Sequence, residues 1–341
     1  MNEPIRIVKI LKPKKVSEPQ PGVFIFDIGQ NIAGWCKIKV DESICEKDGI
    51  IRLRHGEILN EDGTLYTKNL RGAKAVDIFI YDGNGVKEYH PHFTYHGFRY
   101  VEVTGLKEGV KPDLNFLEAH VISSDLEICG SFECSDPMLN QLWKNILWTQ
   151  RDNLMSVPTD CPQRDERLGW MGDVLIFSQT SIFNMMMAAF YNKWIKDIRD
   201  SQLIDGRYSD VSPNIFRKLG IRYFLNAPGW ADCGVILPWQ VYLNYRDRRV
   251  IEEQYFSAKH FIDHVHYKNR NLIWNRRFHV CYNDWLNGDT IIYDGYPKKS
   301  KPKTKRSSYY HQRTLAYSGG ARFWQNPSSY PSGSLFNKRG N

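Results

Sequence analysis

Between Val157 and Asp173 the chain places four carboxylates (Asp160, Asp165, Glu166 and Asp173) beside Arg164, Arg167 and Trp170, with two prolines and two glycines breaking any regular pattern. A solvated loop has little use for that mixture. Cleavage of a glycosidic bond uses most of it. One carboxylic acid must protonate the leaving oxygen, and a second carboxylate must activate water or attack the sugar. Neighbouring carboxylates raise the pKa of such an acid by like-charge repulsion. Glu166 has neighbours of this kind in Asp160, Asp165 and Asp173. Arg164 and Arg167 can hold hydroxyls or orient the acids, and Trp170 offers a flat apolar face to the C–H side of a sugar ring. Residue types alone leave a structural turn with internal salt bridges as an equal reading.

The elements that must position this loop differ on its two sides. Before about residue 124 the chain reads as short strands. These are Val23–Ile28, Trp35–Val40, Ile51–His55, Val76–Tyr81 and Phe98–Val103, the last alternating as Phe-Arg-Tyr-Val-Glu-Val. Turns recur at Asp82-Gly83-Asn84-Gly85 and Thr104-Gly105. Many short strands with polar turns predict a β-sandwich. After Ser131 the period changes. Ser135-Asp136-Pro137 supplies a cap and a first-turn proline, and Leu139, Leu142, Trp143, Ile146 and Leu147 fall on one helix face. Val174–Asp200 reads as one long helix with Met185-Met186-Met187 in its core, and Val235–Tyr245 and Ile251–Val265 as two more. Loops 157–173, 205–213, 226–234 and 282–290, rich in Gly, Asp and Trp, connect them. Helices whose loops carry carboxylates and tryptophans predict a helical barrel with a cleft at one end.

The net charge of +8 belongs to the end of the chain. From Lys298 onward there are ten Lys or Arg and no Asp or Glu, which leaves residues 1–297 with a net −2. A nucleic-acid partner would therefore rest on the tail alone, and none is expected. The sequence has no 18-residue apolar run and no apolar leader, so neither a membrane partner nor a signal peptide is expected. Seven cysteines without a tight Cys-x-x-Cys pair fit reduced thiols in the cytoplasm. His92 and His96 do not read as a metal pair, because a helix is implausible there. No metal and no cofactor are expected. Cys161 has no paired base and does not read as a nucleophile. Oligomeric state is not legible.

The run Asp160-Cys-Pro-Gln-Arg-Asp-Glu166-Arg-Leu-Gly-Trp170-Met-Gly-Asp173 resembles the signature of bacterial α-L-rhamnosidases, the inverting glycoside hydrolases of family 78. The resemblance continues upstream in Phe26-Asp-Ile-Gly-Gln-Asn31, Leu65-Tyr-Thr-Lys-Asn-Leu-Arg71 and Phe93-Thr-Tyr-His-Gly-Phe-Arg-Tyr100. It continues downstream in Gly130-Ser-Phe-Glu-Cys-Ser135, Ala227-Pro-Gly-Trp-Ala-Asp232 and Asn283-Asp-Trp-Leu286. It implies a β-sandwich followed by an (α/α)6 barrel: 1–125 the sandwich, 126–297 the N-terminal part of the barrel, and 298–341 a basic, Ser-rich tail that is disordered or read out of frame. It implies hydrolysis of terminal non-reducing α-L-rhamnose with inversion, on a rhamnose-containing glycoside or oligosaccharide. Glu166 is then the general acid, with Asp160, Arg164, Trp170, Asp173, Trp230, Asp232 and Trp285 as sugar contacts. Asp232 reads equally well as a helix cap.

The family's general base is a later glutamate, and this sequence has no acid after Asp294. The expectation is a chain truncated within the catalytic barrel and inactive alone. The alternative function is a catalytically silent rhamnose-binding fragment.

Overall fold

The structure, a computed structural model, describes residues 2–218 and 226–270. The chain divides into two compact units: Met1–Gly169 with Phe183–Met186, and Trp170–Ile182 with the residues from Met187 on.

The first unit is built on eight antiparallel strands: β1 (Ile5–Leu11), β2 (Lys15–Gln20), β3 (Val23–Val40), β4 (Ile50–Gly56), β5 (Val76–Ile80), β6 (Lys87–Tyr89), β7 (His96–Thr104) and β8 (Leu117–Ser124). Their order is β1-β8-β3-β7-β4-β5, with β2 and β6 also pairing β3. The two runs read separately as Val23–Ile28 and Trp35–Val40 are one 18-residue strand. Its first half pairs β2 and β7 through Phe24–Asp27, and its second half pairs β8 through Gly34–Ile38 and β6 through Ile38–Val40. A register shift against β7 between Asp27 and Ile32 marks where the strand passes from one arm to the other. The arms close on one core. Phe24 and Phe26 from the first half of β3 share it with Cys36, Ile38 and Val40 from the second, with Val101 and Val103 of β7, and with Ala119 and Val121 of β8. This is the β-domain predicted as a sandwich, an eight-stranded antiparallel sheet with a core drawn from both halves of β3.

Gly34 sits at that exchange, opposite His96 of β7 and Val121 of β8. A Cβ there would meet the backbone carbonyl oxygen of His120 at 1.9 Å. Backbone cannot swing aside as a side chain can, so Gly34→Ala is expected to destabilise this unit by about 1–3 kcal/mol. Urea unfolding of the two proteins measures it; equal midpoints would mean the strands part at no cost.

Helix α1 (Pro137–Asp152) begins as its sequence predicts, with the Asp136 side chain accepting from Met138 N at 2.8 Å. Its apolar stripe behaves differently. Leu147 is buried, while Leu139 and Leu142 are about half exposed. The helix packs on β3 and β8, and Ala33 N donates to Asp152 at 2.9 Å. The short pair β9 (Leu154–Met155) and β10 (Val157–Pro158) then leads into the acid loop.

The second unit is helical. The expected single helix over 174–200 is two, α2 (Met171–Asn184) and α3 (Ala188–Asp200). At the break the backbone turns to other partners: Cys129 N and Gly130 N donate to Asn184 O, Met186 N donates to Glu127 O, and Met185 bridges Ile128. Met185 and Met187 are buried, as core methionines should be, but at a break rather than inside a helix. After the short α4 (Ile215–Lys218) come α5 (Cys233–Tyr245) and α6 (Arg248–Lys268). Arg246 in the left-handed region and the Asp247 cap turn α5 directly into α6, an αα-hairpin. α5 packs on both α3 and α6. Phe190, Tyr191, Trp194, Ile195 and Ile198 are the buried side of α3. Gln254 donates to the Tyr208 hydroxyl and to Gly234 O, and Trp194 Nε1 donates to Ser212 O, which bonds these buried polar groups between elements. Among the described residues no helix is long and apolar enough to cross a membrane, and the six cysteines are free thiols.

Candidate active site

The acid loop is closed at its base by backbone. Asp160 N donates to Leu168 O at 3.0 Å, and Leu168 N returns a bond to the Asp160 carboxylate at 2.8 Å. Two non-local contacts hold it to the sheet. Gly97 at the start of β7 lets Gln163 approach so closely that a Cβ would stand 2.8 Å from its backbone nitrogen. Arg167 donates to the carbonyl oxygens of Tyr95 (2.6 Å), Arg164 and Gln163, and its guanidinium lies over the Tyr95 ring at 4.8 Å. Arg167, one of two arginines that could have met a sugar, thus fastens the loop.

Arg164 does the work expected nearer the acid. Its Nη2 reaches Asp160 Oδ2 at 3.3 Å and its Nε reaches Glu166 Oε2 at 3.1 Å. Asp160, Arg164 and Glu166 therefore form one hydrogen-bonded group. The same Glu166 oxygen takes a second guanidinium, Arg71 Nη1, at 2.8 Å. Asp165 is occupied elsewhere, accepting from Gly72 N at 3.0 Å. The groups in contact with Glu166 are thus two cations, not the carboxylates that the spacing of the loop suggested. Like-charge pressure runs the other way: burial raises the Asp160 pKa, and the Glu166 charge adds to that. Burial also pushes the Cys161 thiol up to about 12, which leaves it a poor nucleophile.

The remaining candidates lie in the second unit. Trp170 bridges Val211, and Met171 N donates to Asp210 O at 2.9 Å, which sets the entry of α2 against the 205–213 loop. Asp173 lies in the first turn of α2. Gly172 is the residue that admits Trp230: a Cβ there would stand 2.6 Å from the indole. Trp170, Asp173 and Trp230 are so gathered around the start of one helix. Asp232 accepts from Gly229 N at 2.8 Å, so at least one of its oxygens shapes the turn before α5. Trp285 lies outside the described residues, as does the tail from 298 on.

Two residues escaped the reading of the sequence. Arg71 was visible only as the end of a family-like run in the sandwich, 95 positions from the acid it touches. Asp210 is fully buried and accepts from Ala227 N at 2.8 Å, so it joins the 205–213 and 226–234 loops. Its only signal was membership of a Gly- and Asp-rich loop.

Two groupings among the described residues have metal-like composition: Asp160–Cys161–Glu166 and His55–Asp77–His96. In the first, both carboxylates already accept from guanidinium groups. In the second, His96 Nε2 and Asp77 Oδ1 are 2.9 Å apart and His55 stacks on His96 at 4.2 Å with planes 17° apart. Nearly parallel stacked rings keep their in-plane lone pairs in two separate planes, which do not meet at one point between the rings. Burial, with His96 adding to it, lowers the pKa of His55 to about 3, so this ring is neutral. The arrangement fits a buried His96–Asp77 hydrogen bond covered by a neutral ring better than it fits a metal site.

Comparison with known proteins finds two domains of one family in succession. Residues 17–123 match the bacterial alpha-L-rhamnosidase concanavalin-like domain, and residues 127–324 the bacterial alpha-L-rhamnosidase 6 hairpin glycosidase domain. An alpha-L-rhamnosidase of Streptomyces avermitilis is 43% identical over 284 residues, which is 83% of this chain and 26% of that protein. One of Formosa agariphila is 36% identical over 262 residues, 77% of this chain and 27% of that protein. Among solved structures, the Streptomyces avermitilis alpha-L-rhamnosidase complexed with L-rhamnose is similar with a TM-score of 0.77 at 42% identity, covering 87% of this chain and 27% of that one. The alpha-L-rhamnosidase from Dictyoglumus thermophilum gives 0.76 at 42% identity, over 82% and 30%. The chain spans about 26–30% of the length of the curated relatives it matches.

Proposed function

The chain belongs to the bacterial alpha-L-rhamnosidase family, and from that premise we propose that its activity is hydrolysis of terminal non-reducing α-L-rhamnose residues with inversion, with Glu166 as general acid and with little turnover until a base completes the site. One observation carries the reading: Glu166, Arg164 and Asp160 are hydrogen-bonded together in the loop whose sequence named the family. The Glu166 side chain is about one-fifth exposed, open enough to meet a leaving oxygen. As the bond from the anomeric carbon to that oxygen breaks, the Glu166 carboxyl gives it a proton. Water attacks the opposite face of the ring and loses its proton to a second carboxylate, roughly 6.5–9.5 Å from the acid in inverting enzymes. We assign that base to no residue of this sequence. Asp160 and Asp173 accept from sugar hydroxyls, Arg164 donates to them, and Trp170, Trp230 and Trp285 wall the ring. Asp232 borders this subsite while shaping its own turn. The substrate is a rhamnose-containing glycoside or oligosaccharide, no cofactor takes part, and the free thiols suit a cytoplasmic protein.

A second reading follows from the unassigned base: a module that binds rhamnose and leaves the bond intact. Initial rates with methyl α-L-rhamnoside, whose leaving group needs the proton, and calorimetric titration with L-rhamnose separate the two. Hydrolysis that is lost in Glu166→Gln supports the enzyme, binding without turnover supports the module, and neither binding nor turnover removes both.

A further inference from the structure

The contacts of Gly97 and Arg167 are not all that holds the acid loop. A short 3-10 turn, Lys68–Leu70, and the two residues after it reach it from the sheet side of the same unit. That turn is built rather than incidental. Leu70 is buried beneath it. Asn69 Nδ2 donates to one oxygen of Glu57 at 2.9 Å, and Asn31 Nδ2 of β3 donates to the other at 2.9 Å. Arg71 then has φ +56°, a left-handed conformation that an arginine holds only under constraint. From that backbone its guanidinium meets Glu166 Oε2, while the next amide, Gly72 N, takes the Asp165 carboxylate. Two consecutive residues of the sheet unit thus hold two consecutive acids of the loop.

The bonds are unequal between the oxygens of Glu166. Both guanidiniums, Arg71 and Arg164, are on Oε2. We propose that Arg71 is a positioning residue for the proton transfer: with Arg164 it fixes Oε2 as the carbonyl-type acceptor and leaves Oε1 to carry the proton toward the leaving oxygen. The sheet unit then contributes to catalysis through a residue that touches the acid and need not touch the sugar. This rests on Glu166 being the proton donor. A carboxyl gripped at one oxygen by two planar donors has a defined direction for the other, and misplacement of a catalytic group by about an ångström costs on the order of 10²-fold.

The test compares the full chain with Arg71→Ala and Arg71→Lys by two measurements. Crystal structures report whether Glu166 keeps its place. Displacement or disorder of its carboxyl in Arg71→Ala, with partial return in Arg71→Lys, is expected. An unmoved Glu166 overturns the proposal. Rates on two rhamnosides report whether the direction matters. Methyl α-L-rhamnoside, whose leaving group depends on the proton, is expected to lose ~10²-fold in kcat/KM. p-Nitrophenyl α-L-rhamnoside, whose leaving group hardly needs one, should lose less than ~5-fold. Equal losses on both would mark a merely structural residue and overturn it. If Arg71→Ala does not fold, Arg71→Lys carries the same comparison with a smaller split. If the native chain hydrolyses neither substrate, the rhamnosidase reading fails for this chain, and the position of Glu166 in the crystals alone decides whether Arg71 holds it.

Discussion

Glu166→Gln is expected to lower hydrolysis of an alkyl α-L-rhamnoside by about 10²–10⁴-fold, the range that a positioned general acid supplies, or roughly 3–5.5 kcal/mol of transition-state stabilisation. Binding of L-rhamnose should change far less. The amide oxygen of glutamine can still accept from Arg71 Nη1 and Arg164 Nε, which stand 2.8 and 3.1 Å from Glu166 Oε2. Asp160 keeps its bonds to Leu168 N and Arg164. What the amide cannot do is release a proton. The loss should therefore fall on kcat and grow as the leaving group becomes more basic. Initial rates across a series of rhamnosides, with calorimetry for the free sugar, measure both parts. A loss of affinity equal to the loss of rate would make Glu166 a binding residue, and an unchanged rate would move the acid elsewhere.

The acid was legible because its loop is contiguous: the residues that do the chemistry and the residues that name the family are the same run. What touches the acid was not. Arg71 is 95 positions away, and only the pairing of strands brings it there. The groups bonded to Glu166 are not the carboxylates that lie near it in sequence, for a related reason. Spacing shows which charges are near in sequence, but the chain spends Asp165 on Gly72 N and puts guanidiniums against the acid.

The same division runs through the fold. Apolar runs and period-two alternation found β3, β4, β5 and β7 and missed β1, β2, β6 and β8, and they ended β3 at Gly29 because glycine usually ends a strand. Here Gly29 has φ +78° within a strand that continues to Val40. Period 3.6 found the helices, yet it ran α2 into α3. Nothing local in Asn184-Met185-Met186 announces that their backbone bonds to residues 127–130. The stripe on α1 marks one helix face, and only Leu147 of it is buried. Periodicity locates a face and does not say what covers it.

Asp152 shows a charge that no pattern in the sequence flagged and that should govern stability. It ends α1 on the sheet, 5% exposed, with Ala33 N bonded to its Oδ1. Burial raises its pKa from 3.8 to about 8. The Ala33 bond and Arg151 pull against that rise, and Glu57 adds to it. The native state therefore holds the proton more tightly than the unfolded chain. Its contribution is fully present below about pH 4 and is lost as pH rises toward 8, because the unfolded carboxyl ionises over that interval while the folded one does not. At about 1.36 kcal/mol per unit, the loss is on the order of 4–5 kcal/mol by pH 8. Asp152→Asn keeps an acceptor for Ala33 N and removes the ionisation. It is expected to be more stable than the native protein at pH 8 by a few kcal/mol, with the two converging near pH 4. Urea unfolding of both proteins from pH 4 to 9 gives the two curves. Parallel curves would mean that Asp152 is solvated or ionised in the folded state, and a variant weaker at every pH would mean that the carboxylate is held by bonds that an amide cannot make.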